Sequence, residues 1–189
     1  MAILVTADPH FGHKNIIKFC KRPFENVTEM DETMIRNWNS VAQPQDTVHV
    51  VGDFAHGCSM EYALSIIKRL NGTKHLVLGN HDAGIAADMN NIRPGTWKTI
   101  KERDVIYVMN QKIILDHYAG RTWWHCYQGA GQLYGHTHGD LPSYGKSFDV
   151  GVDVWDFTPV TSKQIHDKME SLPNIHAIPK EKRWDKSGN

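Results

Sequence analysis

Three short apolar runs constrain this chain more than any other feature: AILVTAD ending at Asp8, TVHVVGD ending at Asp53, and KHLVLGNHD ending at Asp82. Each is hydrophobic throughout and gives way at once to small and polar residues. Such runs read as buried strands whose carboxyl ends deliver chemistry into loops. Between them the apolar spacing changes to intervals of three and four. Val27, Met30, Met34, Trp38 and Val41 mark one helix, with Asn26 or Thr28 available as its cap. Met60, Leu64, Ile67 and Leu70 mark a second, which Gly72 is placed to end.

The second half is richer in strands. DVIYVMNQKIILDH reads as two strands joined around Asn110 and Gln111, another strand leads to Tyr134, and a further one covers SFDVGVDV. SKQIHDKME reads as a closing helix, and the polar tail from about residue 179 is expected to fray. The loop DAGIAADMNNIRPGTW is the least regular piece, expected to begin as a helix and to border the site. An α/β fold follows, with strands inside and helices outside, in a single domain over residues 1–189.

Lysine plus arginine and aspartate plus glutamate both number 21, so no net positive field draws the chain onto polyanions, and extended nucleic-acid binding is not expected. The N-terminus reads as a strand rather than a signal peptide, and no apolar run approaches membrane-spanning length. Cys20, Cys58 and Cys126 form no CxxC pair, which argues against a disulfide framework or a thiolate zinc site and for a cytoplasmic location. The 12 histidines are the anomaly, and they point to metal chemistry.

Asp, His and Asn side chains gather in ADPHFGH, VGDFAHG, LGNHD, LDHY and YGHTHGD. Together they suit mixed oxygen and nitrogen coordination of a divalent ion. Asp8 and His10 stand two apart, so in an extended segment both face one side and chelate one ion. Taken singly, each motif is equally a turn or a helix cap: Asp8, Asp53 and Asp82 are ordinary capping residues, and Asn80 is an ordinary Asx-turn residue.

In order, DPH, GD, GNHD, a lone His and GHTH resemble the calcineurin-like metallophosphoesterase superfamily, over Asp8 to His138. HFGHKNII, MIRNWNSV and VGVDVWDFTPV are similar to its compact bacterial and phage phosphohydrolase branch. The resemblance implies a layered β-sandwich of mixed sheets flanked by helices. It implies that Asp8, His10, Asp53 and His138 hold one divalent metal and that Asp53 bridges to a second, completed by Asn80, His117 and His136. Manganese is the expected activator, with iron, zinc, nickel or cobalt as alternatives. A bridging carboxylate holds such ions about 3.5–4 Å apart and a bound water acidifies toward about pKa 7, supplying hydroxide to attack phosphorus.

His81, oriented by Asp82, is then left for catalysis, with Asn80, His13 and His56 as candidate phosphate contacts. The second motif departs from the usual pattern: GDFAHGC has His56 where a carboxylate often sits and lacks the arginine of protein-phosphatase relatives, which weighs against a protein phosphatase. Arg121 and His125 are candidates for the substrate mouth, and Trp123, Trp124 and Tyr127 for base stacking; all five are equally candidates for packing or surface roles. The function expected is hydrolysis of small phosphodiesters or phosphomonoesters, nucleotides and cyclic nucleotides included. A nuclease on short nucleic acid and a silent metal-binding scaffold are the alternatives.

Overall fold

The computed structural model describes residues 1–86 and 95–179. The tail from residue 180 and the middle of the 82–97 loop lie outside them. In chain order the elements are β1 (Ile3–Thr6), α1 (Ile16–Phe19), α2 (Val27–Val41), β2 (Thr47–Val51), α3 (Met60–Arg69), β3 (Thr73–Val77) and α4 (Ala83–Ala86). Then follow β4 (Trp97–Lys101), β5 (Asp104–Val108), β6 (Gln111–Leu115), β7 (Gly131–Tyr134), β8 (Ser147–Asp149), β9 (Val160–Thr161) and α5 (Ser162–Ser171).

The three opening runs become β1, β2 and β3, parallel neighbours in a five-stranded sheet of order β4-β3-β2-β1-β9. Their unbroken hydrophobicity has a physical cause: both faces are covered. Val48, Val50 and Leu76 face the helices, among Met30, Met34, Trp38, Ile66 and Ile67, whereas Val5, Val51 and Val77 face the second sheet. That sheet runs β5-β6-β7-β8 and offers Ile113, Leu115, Leu133 and Phe148 to the same interior, where Ile165 and Met169 of α5 also pack. The result is the layered β-sandwich of two mixed sheets flanked by helices that the sequence led us to expect.

Local chemistry sets the ends. Asn26 caps α2 by accepting from Glu29 N at 2.9 Å, and Ser59 caps α3 by accepting from Tyr62 N at 3.2 Å. The β5–β6 hairpin turns on Met109 and Asn110, both at positive φ, one residue earlier than expected. SFDVGVDV is a strand only over Ser147–Asp149. Beyond Asp149 the chain crosses from one sheet to the other: Val150 N donates to Tyr134 O at 2.9 Å, Ala7 N donates to Val150 O at 3.1 Å, and Val152 N donates to Ala7 O at 3.0 Å. This crossing seams the two sheets at the ends of β1 and β7. No helix among the described residues is long and apolar enough to cross a membrane.

Candidate metal centre and active site

Asp8 and His10 follow β1, Asp53 follows β2, Asn80 and His81 follow β3, His117 follows β6, and His136 and His138 follow β7. The seam therefore collects at one rim side chains that the sequence scatters over 131 positions. Ligand atoms of Asp8, His10 and His138 lie within 4.8 Å of one another, and those of Asp53, His117 and His136 do the same. Asp53 Oδ2 stands between the groups, 3.6 Å from His10 Nε2 and 3.5 Å from His117 Nε2. Asn80 Oδ1 joins the second group, 3.1 Å from His117 Nε2. All seven expected ligands come together.

The donor set fits divalent cations. Asp8 Oδ1 and both ring nitrogens of His10 are buried without a hydrogen-bond partner, a costly arrangement unless a cation satisfies them. Burial pushes the Asp8 carboxyl up to about 7 and the His10 imidazole down to about 2. Burial acts in the same directions on the central pair but is outweighed there. Hydrogen bonds from His117 and the His81 amide hold Asp53 down at about 2, and the Asp53 and Asp8 carboxylates lift His117 to about 9. His117 Nδ1 faces the Val51 carbonyl at 2.9 Å, so its Nε2 is the atom turned to the cluster. Without a cation, a proton on Nε2 is the compensation available.

Packing so many polar groups requires unusual backbone. Asp8, His10, Asp53, His136 and His138 all have positive φ, between 47° and 67°, a region costly for residues with a side chain and tolerated where the surroundings enforce it. The expected extended Asp8-x-His10 segment is therefore corrected: two left-handed residues, not strand alternation, aim these side chains at one point. The motif glycines leave room for ligands of other motifs. A Cβ on Gly52 would strike the His117 ring, one on Gly79 the Asp53 carboxylate, and one on Gly135 the Asp8 carboxylate.

A set of buried side chains without any role in the sequence reading holds the cluster in place. Arg22, 4% exposed, donates to Asp8 O at 2.8 Å and Pro9 O at 2.9 Å, and bidentately to Asp153 at 2.8 Å for each oxygen. Asp153 Oδ2 in turn is 2.7 Å from His138 Nδ1, leaving Nε2 for a metal. Asp149 accepts from Thr137 Oγ1, Gly139 N and Gly151 N, fixing the GHTH loop. Asp82 is a further correction. Its carboxylate accepts the backbone N–H groups of Asp53, Phe54 and Gly79 at 2.8–3.0 Å, so it ties the β2 end to the β3 end instead of orienting the His81 ring.

The ligands open onto a cleft of about 490 Å³. His81 lines it with His13 and His56, whose ring centroids follow one another at 4.1 Å (His81 to His56) and 4.6 Å (His56 to His13). The other proposed mouth residues do not. Trp123 is buried and donates to Ala130 O, while Trp124 and His125 pack together beside Lys112. Arg121, Trp124, His125 and Tyr127 lie outside the lining of this cleft.

The chain is 32% identical over 167 residues to the uncharacterized protein MJ1445 of Methanocaldococcus jannaschii, covering 84% of this chain and 86% of that one. It is 28% identical over 178 residues to the Gene 66 protein of Mycobacterium phage L5, covering 79% and 86%. A protein of unknown function from Aquifex aeolicus, AQ665, shares the fold with a TM-score of 0.68 at 23% identity, over 88% of this chain and 98% of that one. The profile described as calcineurin-like phosphoesterase matches residues 1–166, and the chain, a phosphoric ester hydrolase, belongs to that family.

Proposed function

We propose that this phosphoesterase hydrolyses small phosphodiesters or phosphomonoesters, nucleotides and cyclic nucleotides among them, with two divalent cations held by Asp8, His10, Asp53, Asn80, His117, His136 and His138. Manganese is the activating ion of first choice for this oxygen and nitrogen donor set. The observation that carries the reading is Asp53 Oδ2, shared at 3.5–3.6 Å between two separate ligand groups. When bound, the cations supply an acidified water and neutralise phosphoryl charge.

The chain's own side chains supply the rest. His81 is exposed in the cleft with its ring centroid 5.5 Å from that of His10, within reach of a phosphate on the cluster. It donates a hydrogen bond to a phosphoryl oxygen, or a proton to the leaving oxygen as the phosphorus–oxygen bond breaks. Its own amide stays on Asp53 Oδ1 at 2.8 Å, which fixes the ring's origin relative to the ligands. His13 and His56 continue the row and contact the remaining phosphate oxygens. Burial and the neighbouring imidazoles hold His13 below its ordinary value, suiting it to contact as a neutral group.

The test is turnover of bis-p-nitrophenyl phosphate, p-nitrophenyl phosphate, 2′,3′-cyclic nucleotides and single-stranded DNA by protein loaded with defined metals, with EDTA as control. Hydrolysis of the small esters, abolished by EDTA, is expected. Activity confined to DNA, or undiminished by the chelator, overturns the reading.

A further inference from the structure

The cleft is polar at the cluster and apolar along one stretch, where Ile16, Phe19 and Cys20 line it next to His13. Phe19 is 72% exposed, more than any other aromatic residue among those described. Exposure of a whole phenyl ring inside the cleft that holds the ligands is unexplained by packing, because its neighbour one helical turn back, Ile16, is the residue that anchors the segment in the core. The Phe19 ring meets His13 edge to face, with centroids 6.3 Å apart, and His13 is 5.4 Å from His10. Two ring-to-ring steps, His10 to His13 and His13 to Phe19, thus connect the cluster to an open aromatic face.

The backbone that carries the ring is also tied to the first ligand segment. His13 N donates to His10 O, Ile16 N to His13 O, Cys20 N to Ile16 O and Arg22 N to Ile17 O, at 2.9–3.3 Å. Arg22 then returns to the carbonyls of Asp8 and Pro9. The segment from His10 to Arg22, which contains α1, is fastened at both ends to the turn after β1 that supplies the first ligands. It contains no acid between Pro9 and Phe24, and Lys14, Lys18 and Lys21 are exposed along it, so the surroundings of the ring favour an anionic ligand.

We infer that Phe19 is the base-stacking platform of this site, and that the substrates preferred are phosphoesters carrying a nucleobase. Stacking of a base on one aromatic side chain is worth about 1–3 kcal/mol, roughly a 5- to 150-fold gain in affinity. The inference rests on the phosphoesterase reading of the same cleft, and the experiment separates the two.

Calorimetric titration of the manganese-loaded chain with the phosphonate isosteres of AMP and of ribose 5-phosphate, whose carbon–phosphorus bond is not hydrolysed and of which only the first carries a base, should give the AMP isostere an advantage of about tenfold. Phe19→Ala should abolish that advantage without changing affinity for the ribose 5-phosphate isostere, and Phe19→Trp should retain it. Turnover of methyl p-nitrophenyl phosphate and of p-nitrophenyl phosphate, measured in parallel, reports the phosphoesterase reading alone, and absence of both overturns that reading. Equal affinity of the native chain for the two ligands, or an advantage of the AMP isostere that survives in Phe19→Ala, overturns the platform.

Discussion

In the proposed centre Asp53 is the side chain that both ligand groups share, and its consequences differ from those of the other proposed ligands. Asp53→Asn keeps the shape but removes the charge between two cations, so metal content measured on dialysed protein should fall at both positions together, whereas loss of one equivalent only would contradict the bridge. His81 makes the opposite prediction. Alanine there retains the amide that binds Asp53 Oδ1, so the ligands stay in place. His81→Ala should lower kcat by about 10²–10⁴-fold with unchanged metal content, the range for loss of a general acid. These clustered side chains are legible in the sequence because coordination would need such residue types at strand ends. Arg22 and Asp153 are not: in KRPF a buried guanidinium is indistinguishable from a solvated one, and Asp153 gains its meaning only from contacts with Arg22 and His138. Asp82 is legible as a site residue but not in its role, since a carboxylate beside His81 gives no sign that three amides of the strand ends will claim it.

β1 to β3 are readable from unbroken hydrophobic runs, and α2 and α3 from apolar residues recurring at intervals of three and four. The short pieces are not. Four-residue α1 and two-residue β9 have too few positions for a period, and β8 is cut short because the chain leaves its sheet at Val150 to pair with Ala7. The ties between elements carry their own test in Asp31 of α2. Its carboxylate accepts Gly12 N at 3.0 Å and the Tyr62 hydroxyl at 2.8 Å, joining the first ligand loop to α2 and α3. Burial raises it from 3.8 to about 6. The folded chain then holds this proton more tightly than the unfolded chain does, so stability falls as pH rises through that interval. Asp31→Asn removes the titration while leaving an oxygen to accept, and denaturant midpoints measured between pH 4 and pH 6 should show a flatter slope in the variant. An unchanged slope would mean that another group carries it.

At the scale of the whole molecule, the seam that brings β1 beside β7 means that Asp8 and the His136 amide, 128 residues apart, form a 2.8 Å hydrogen bond only once both sheets have closed. Closing so long a loop is slow and entropically costly, so the cluster should be completed after the main barrier to folding has been crossed. The cations then act as a latch rather than a nucleus. Stopped-flow measurements should show manganese slowing unfolding, by about 100-fold for each cation bound at a free concentration about 100 times its Kd, while refolding proceeds at the same rate in manganese and in EDTA. Faster refolding with the metal would place the cluster before the barrier. Under the proposed loading with manganese, the seam would make lifetime as well as turnover depend on the ion, so that starvation for the metal would remove the protein by shortening the life of its native state.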